Sequence, residues 1–248
     1  MYHLYLGNNL EILKNFKSNS IDLIFADPPY FLSNGGLTCK NGKGILVNKG
    51  EWDKSKGFKE DYEFQKQWIK ECKRVLKDTG TIWISGTYHS IYQVGFALQE
   101  LDFKILNDIV WFKPNASPNL ARRTFTASHE TILWAAKTKD YYFNYELSKQ
   151  YFNEKDKIKK QDKQMRSVWW IPTTPKSEKL QGYHPTQKPL TLLERIILTT
   201  SQEGDIILDP FCGSGTTGVA SIKHNRHFIG IDINSQYLEL TKKRIESL

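Results

Sequence analysis

Four residues near the start of the chain combine a carboxylate, a stiff backbone and an aromatic ring: Asp27, Pro28, Pro29 and Tyr30. The exocyclic amino group of a nucleobase is a poor nucleophile, because its lone pair is delocalised into the ring. A carboxylate and a backbone carbonyl can accept its two N–H groups, and the prolines keep that backbone rigid without a competing donor. Tyr30 offers a ring for stacking on the base. The motif predicts methyl transfer to an amino nitrogen, although the same residue types also form ordinary turns after strands.

A second motif, residues 209–217 with the sequence DPFCGSGTT, follows an apolar segment near the other end of the chain. Gly213 and Gly215 allow the backbone to approach a ligand closely, and Asp232 ends the next apolar segment, where it can accept hydrogen bonds from ribose hydroxyls. A dehydrogenase that binds NAD would share these features. The lysine of a phosphate-binding loop is missing, whereas Asp209 suits the amino group of a sulfonium amino acid. The motif therefore favours S-adenosylmethionine as the cofactor.

The three cysteines, Cys39, Cys72 and Cys212, form no CxxC pair and are too few for a disulfide framework or a zinc site. No metal is expected. Cys212 lies inside the second motif, but no activating base is evident nearby in the sequence. We interpret it as a small filler of a tight turn rather than a nucleophile.

Short apolar segments alternate with helical patterns along the chain, which is typical of an α/β fold. We expect one domain over residues 1–248, with a mostly parallel seven-stranded sheet and helices on both faces. Both motifs directly follow predicted strands, and ligands bind beyond the carboxyl ends of such strands. The strands are predicted at residues 3–6, 21–26, 81–85, 105–112, 130–136, 205–209 and 227–231.

Two helices have clear amphipathic patterns. One is predicted over Asp61–Lys77, and another begins near Pro189, a residue that the first helical turn tolerates. Two stretches break the alternation of strands and helices. Residues 31–60 are interpreted as a flexible polar loop, and residues 138–183 as an insertion outside the sheet that orders when a partner binds.

The chain is basic, with 35 Lys and Arg against 27 Asp and Glu and a formal net charge of +8. This charge suits a polyanionic partner, although a merely basic enzyme would show it as well. The sequence has neither a secretory pattern at its start nor an apolar run of the roughly 18 residues that span a membrane. A cytoplasmic location is expected.

The order of the two motifs, Asp27 to Tyr30 before Phe211 to Gly215, resembles the beta class of amino-methyltransferases of restriction-modification systems. The resemblance covers essentially the whole chain and includes GNNLEIL at residues 7–13, ARRTFTASHETILWA at residues 121–135 and HPTQKP at residues 184–189. The stretches ADPPYFLSNGG, WISGTYHSIYQVG and PNLARRTFTASHETILWA are similar to GATC-specific adenine methyltransferases that accompany Dpn-type restriction enzymes.

The resemblance implies a Rossmann-like S-adenosylmethionine-dependent methyltransferase fold, with the insertion as a target-recognition region and residues 27–30 as the catalytic segment. It implies that Asn8, where many relatives have Asp, approaches the cofactor's adenine, and that HPTQKP closes over the methionine end. Without the family, His184, Thr186 and Lys188 would be interpreted as a surface histidine, a helix cap and a solvated lysine. The implied cofactor-binding residues are Asn8, Asp27, His184, Thr186, Lys188, Asp209, Phe211, Gly213, Gly215, Thr216, Thr217 and Asp232.

An enzyme that acts on a stacked base must extrude it from a duplex or accept single-stranded DNA. Arginine suits guanine recognition, although contacts with phosphate are more common. The lysine-rich run 155–163 is interpreted as a solvated face that adds salt-sensitive affinity. The candidate DNA-binding residues are Ser33, Asn34, Lys113, Asn119, Arg122 and Arg123.

Methylation of adenine N6, with GATC as the expected site, is favoured because relatives that modify cytosine N4 more often have serine in place of Asp27. Cytosine N4 is the alternative. A methyltransferase acting on RNA or on protein glutamine is a further hypothesis, and a DNA-binding module without activity is the least favoured. The resemblance also suggests a homodimer, and a cognate restriction endonuclease in the same system without a stable complex between the two.

Overall fold

The computed structural model describes residues 1–33, 37–40, 43–46, 50–120, 122–150 and 163–248. The strands are β1 Tyr2–Leu6, β2 Ile21–Ala26, β3 Leu37–Lys40, β4 Lys43–Leu46, β5 Leu76–Gly86, β6 Lys104–Phe112, β7 His129–Ala136, β8 Val168–Trp170, β9 Ile206–Asp209 and β10 His227–Asp232. The helices are α1 Asn9–Leu13, α2 Phe58–Val75, α3 Ile91–Glu100, α4 Tyr145–Gln150, α5 Leu190–Thr200, α6 Thr216–Lys223 and α7 Ser235–Glu246. Short 3₁₀ helices cover Glu51–Asp53 and Lys176–Lys179.

The main sheet has eight strands in the order β1-β10-β9-β2-β5-β7-β6-β8. Strands β1, β10, β9, β2 and β5 are all parallel, so their carboxyl ends meet at one edge. Strand β7 runs antiparallel to both of its neighbours, β5 and β6. Its first residues therefore lie at the edge where β5 and β6 end. Strand β8 is parallel to β6, so seven strands end at this edge and one begins there, and this edge carries the site.

Helices cover both faces of the sheet. On one face, α1, α2 and α3 bury side chains such as Leu13, Trp68 and Leu98 against strands β2 and β5. On the other face, α5 and α6 pack Ile196 and Ala220 on the sheet. Burial of these apolar faces stabilises the sheet that carries the site, at about 25 cal/mol for each Å² removed from water.

The α/β class with a mostly parallel sheet is confirmed, and all seven predicted strands are present. Their ends differ from the prediction by at most one residue, except that β5 begins five residues earlier, at Leu76. The predicted number of strands was too low, because β8 adds an eighth strand to the main sheet beside β6. Strand β8 lies within residues 138–183, so the prediction that this stretch stays outside the sheet is wrong for residues 168–170. Strand β8 has only three residues and polar neighbours, so its buried Trp169 was not recognised as part of a strand.

Parts of the polar stretch 31–60 have regular secondary structure. Strands β3 and β4 form a separate antiparallel hairpin within it, and α2 already begins at Phe58. Helix α2 ends at Val75, two residues before its predicted end, and α5 begins at Leu190, one residue after Pro189. Within the described parts of the chain, none of the helices has the length and apolar character needed to cross a membrane.

Candidate active site

Asp27 follows the last residue of β2 and lies at the edge where the parallel strands end. Its Oδ1 atom accepts two hydrogen bonds of 2.5 Å, one from the Tyr30 hydroxyl and one from Ser85 Oγ. Ser85 is near the carboxyl end of the neighbouring strand β5, which brings its hydroxyl beside Asp27. The hydroxyl groups therefore fix the orientation of this carboxylate.

Asp27 also belongs to a largely buried charge cluster, made of Asp27, Glu130, Lys113 and Lys188. Lys188 Nζ donates to Asp27 Oδ2 and lies 3.6 Å from Glu130 Oε2. Lys113 Nζ donates to Glu130 Oε1 at 3.0 Å. The Tyr30 hydroxyl is 3.1 Å from Glu130 Oε2, and Lys188 Nζ lies 5.3 Å from the centre of the Tyr30 ring. The cluster contains two carboxylates and two ammonium groups, so its formal charge is balanced.

Two members of the charge cluster, Lys188 and Glu130, stay ionised in spite of burial. Burial would lower the pKa of Lys188, but the Asp27 and Glu130 carboxylates outweigh it and raise that pKa. Burial would likewise raise the pKa of Glu130, but Lys188 and Lys113 hold it below its usual value. Burial, together with the Asp27 and Glu130 carboxylates, raises the pKa of Tyr30 well above its ordinary range. The Tyr30 hydroxyl therefore stays protonated and donates.

A second carboxylate, Asp53, holds the backbone that follows Asp27. Its Oδ1 accepts the amide N–H groups of Tyr30 and Phe31 at 3.0 and 2.9 Å. Its Oδ2 accepts from the amide of Leu32 at 3.1 Å and from Ser33 Oγ at 2.9 Å. Phe31 has a φ of +60°, a conformation that a residue other than glycine rarely adopts without such support. Asp53 thus fixes the turn that positions Tyr30.

Next to Asp27 lies a cavity of 790 Å³ that is lined by residues from both sequence motifs. The glycine turn forms one wall. Gly215 has a φ of +71°, and a Cβ atom there would lie 2.3 Å from Thr241 Cγ2, so only glycine fits. Gly213 donates its amide to Asp232 Oδ2 at 2.8 Å, which ties the turn to the end of β10. Asp27 and the glycine turn therefore face one shared space.

Asp209 is buried in the wall of this cavity. Thr217 Oγ1 donates to its Oδ2 at 2.5 Å, and the amide of Phe211 donates to its Oδ1 at 3.0 Å. Burial nevertheless raises the pKa of the Asp209 carboxyl to about 7. The carboxyl is therefore poised to ionise when a cationic group enters the cavity.

The HPTQKP segment closes another side of the cavity. His184 and Lys188 are both buried, at 7% and 6% exposure, so the interpretations as a surface histidine and a solvated lysine are excluded. The His184 ring packs on Gly213, where a Cβ atom would approach the ring within 3.2 Å. Thr216 Oγ1 donates to the Lys188 carbonyl at 3.0 Å and joins this segment to the glycine turn.

The cavity fits the cofactor that the sequence suggests. Gln187 lines it with a buried Oε1 atom that has no hydrogen-bond partner among the described residues, so an acceptor is available for a ligand. Eleven of the twelve residues expected to bind the cofactor line the cavity, and Gly215 supports the turn from behind. The thiol of Cys212 is buried and its pKa lies well above the ordinary value, which agrees with a filler role.

The residues expected to contact DNA fall into two groups. Ser33 and Lys113 bond inside the protein, to Asp53 and Glu130 respectively. Arg122 and Arg123 are exposed on the loop between β6 and β7, and Asn119, which is partly buried on the same loop, donates to the Thr124 carbonyl at 3.1 Å. Asn34 and most of the lysine-rich run 155–163 lie outside the described residues.

A mostly parallel sheet, a glycine turn after one strand and a carboxylate motif after another define an S-adenosylmethionine-dependent methyltransferase. A family model described as DNA methylase, which spans N6 and N4 enzymes, matches residues 21–243. The chain belongs to this N6/N4 DNA methylase family. It is a site-specific DNA methyltransferase of the restriction-modification type, with S-adenosylmethionine as methyl donor.

Individual relatives share nearly the full chain. The type II methyltransferase M2.MboI of Moraxella bovis is 50% identical over 249 residues, which cover 100% of this chain and 88% of the relative. M2.DpnII of Streptococcus pneumoniae is 51% identical over 244 residues, covering 97% of this chain and 88% of the relative. Among solved structures, the M1.HpyAVI–SAM complex is 29% identical with a TM-score of 0.71 over 99% of both chains.

Three residues of the site were missed by the sequence reasoning: Ser85, Glu130 and Asp53. Ser85 is the last residue of the predicted strand 81–85, so its place at a strand end, close to that of Asp27, was a usable signal. Glu130 lay at the start of a predicted strand, and Asp53 lay in a stretch interpreted as a loop. No spacing rule connects either of them with Asp27.

Substitution of Asp53 by Asn should lower the rate of methyl transfer by about tenfold or more, because an amide offers one acceptor oxygen where the carboxylate offers two. Single-turnover rates with saturating cofactor measure the effect. Asp22→Asn is the matched control, since Asp22 accepts a backbone amide and a lysine at the opposite edge of the sheet. Equal rate losses in both variants would mean that Asp53 has no special bearing on the site.

Affinity for S-adenosylmethionine should weaken about tenfold from pH 6.5 to pH 5.5 if Asp209 pairs with the cofactor's ammonium group. The pKa of Asp209 is about 7, so below that pH binding must first remove a proton from the carboxyl. An α-amino group has a pKa of about 7.7–8.0 and stays charged over this range. Calorimetric titration gives the dissociation constants. Asp209→Asn should bind more weakly and with little dependence on pH, and a retained tenfold dependence would contradict the assignment.

Proposed function

We propose that the enzyme methylates the N6 amino group of adenine, within GATC sites. The observation that carries this proposal is the position of Asp27, whose oriented carboxylate lines the same cavity as the glycine turn. The aspartate favours adenine in this family, and the motifs are similar to those of GATC-specific adenine enzymes. The cofactor supplies the methyl group from its sulfonium centre.

Asp27 has room for the amine of the base. Within the described chain it accepts from Tyr30, Ser85 and Lys188, whereas an ionised carboxylate offers about four acceptor positions. One N–H of the amine would occupy the remaining position. A carbonyl of the rigid Pro28-Pro29 segment would accept the other N–H, so that the lone pair of the nitrogen points towards the methyl group.

Asp27 need not act as a strong base in this reaction. The amine becomes acidic only as the methyl group arrives and positive charge develops on nitrogen. A negative charge held at a fixed distance stabilises that state, and the hydroxyls of Tyr30 and Ser85 hold it there. Tyr30 is only 8% exposed, so we assign it to orienting Asp27 as well as to contact with the base.

The loop between β6 and β7 is the proposed contact with DNA. Its ends lie at the catalytic edge, where Lys113 and Glu130 bond to each other. Arg122 and Arg123 are exposed on this loop and suit phosphate or guanine. Phe125 is 98% exposed beside them, and an apolar side chain of this kind can enter the base stack when a base is extruded.

The proposed partners follow from the same role. A restriction endonuclease of the same specificity would share the DNA site and need not bind this chain stably. A homodimer is proposed from family likeness, and light scattering would test it. A cytoplasmic location is proposed because the DNA substrate and the cofactor are found there.

Wild-type enzyme should transfer labelled methyl to a GATC duplex and not to a matched duplex without GATC, and the product nucleoside should be N6-methyladenine. Asp27→Ala should abolish transfer, because the amine loses its charged acceptor. Nucleoside analysis of the product decides between the alternatives. Exclusive N4-methylcytosine would refute the adenine assignment, and transfer to both duplexes would refute the specificity.

Phe125→Ala should reduce extrusion of the target base by about tenfold, because an unfilled gap in the stack costs a few kcal/mol. A duplex with 2-aminopurine in place of the target adenine reports extrusion by its fluorescence. Phe96→Ala, which removes a 60% exposed phenylalanine from α3, is the matched control and should behave as wild type. Wild-type fluorescence with Phe125→Ala would exclude a wedge at this position.

A further inference from the structure

Lys188 is shared between two carboxylates. Its ammonium group donates to Asp27 Oδ2, and the other carboxylate oxygen nearby, Glu130 Oε2, is 3.6 Å away. A small movement of the ammonium group would therefore transfer it from Asp27 to Glu130. The side chain is buried, so water offers little competition with these two acceptors.

The Tyr30 hydroxyl has the same choice of acceptors. It donates to Asp27 Oδ1 at 2.5 Å and lies 3.1 Å from Glu130 Oε2. A hydroxyl has one hydrogen and can give it to only one of these carboxylates at a time. Glu130 is thus the alternative acceptor for two of the three donors that hold Asp27.

The position of Lys188 beside Asp27 opposes the reaction. Positive charge develops on the amine as it gains the methyl group, and it does so next to Asp27. An ammonium group on the same carboxylate repels that charge and weakens the field of Asp27. In a buried site this repulsion is poorly screened. Efficient transfer therefore requires Lys188 to leave Asp27 when the amine is in place.

We propose that Glu130 is a positioning residue that takes Lys188 from Asp27 as the amine docks, so that the full charge of Asp27 faces the reacting nitrogen. The inference rests on the proposed function in one respect, that an amine is methylated at Asp27. The pairing of β7 in the sheet holds the backbone of Glu130 in place for this role. It is the second residue of β7, paired with Trp111 of β6, and the Lys113 ammonium group holds its other oxygen.

Glu130→Gln is the variant that tests this proposal. It keeps the size of the side chain but removes the charge that attracts Lys188, which then stays on Asp27. The single-turnover rate should fall roughly tenfold or more, as when a preorganised charge is removed. The dissociation constant for the cofactor and the 2-aminopurine signal of the duplex should stay within about twofold, since neither binding nor extrusion is altered. An unchanged single-turnover rate would overturn the proposal.

Further variants separate this role from a structural one. The double variant Lys113→Gln with Glu130→Gln removes both charges of one pair. It should remain as slow as Glu130→Gln, whereas recovery of the rate would show that Glu130 serves only to neutralise Lys113. Glu130→Asp keeps the charge and should be faster than Glu130→Gln. The reverse order would also overturn the proposal, since it would make shape more important than charge.

Glu100→Gln is the matched control. Glu100 also accepts from a tyrosine hydroxyl and a lysine, Tyr62 and Lys66, but on the outer surface of α2 and α3. The single-turnover rate of the Glu100→Gln variant should equal that of the wild type. The rates of all variants are compared on whichever duplex the wild type methylates. A wild type that produces N4-methylcytosine would therefore refute the adenine assignment and leave the comparison of Glu130 variants intact.

Discussion

The site depends on the mutual neutralisation of four charges that the protein has taken out of water. Asp27, Glu130, Lys113 and Lys188 come from four separate segments of the chain, yet each ammonium group contacts a carboxylate of the cluster. Removal of one partner would leave a buried charge without compensation, which typically costs 3–5 kcal/mol. The segments are therefore bound to one another by electrostatics as well as by packing. The orientation of the reactive carboxylate is a consequence of that balance.

The direction of strand β7 makes this balance possible. Parallel strands bring only residues at or just after strand ends to the catalytic edge, and these include Asp27, Asp209 and Asp232. Because β7 is antiparallel, it brings residues from the beginning of a strand to the same edge. In this way β7 places a second carboxylate, that of Glu130, within 3.6 Å of the Lys188 ammonium group. The glycine turn and Asp27 thus lie on the parallel half of the sheet, and the second carboxylate of the charge cluster lies at the antiparallel junction.

The sequence was most informative where chemistry and strand ends coincide. Continuous apolar runs mark buried strands, so residues 27–30 and 209–217, at the ends of such runs, could be placed at one edge from the sequence alone. Glu130 could not be placed, because no local pattern reveals the direction in which a strand runs. Asp53 could not be placed either, since its partners lie 20 to 23 residues earlier in the chain and are mostly backbone amides, which every sequence has. Strand β8 was missed because three residues are too few to show the alternating pattern of a strand.

The loop between β6 and β7 leaves and re-enters the molecule at neighbouring points, where Lys113 and Glu130 are joined. The Lys113–Glu130 pair and the pairing of β6 with β7 hold both ends of the loop at the catalytic edge, whatever residues lie between them. Insertions, deletions or exchanged residues between positions 114 and 127 would then change the surface that we propose for DNA contact and leave the reacting groups in place. Under that proposal, part of the DNA-contacting surface can change during evolution while the catalytic edge is kept.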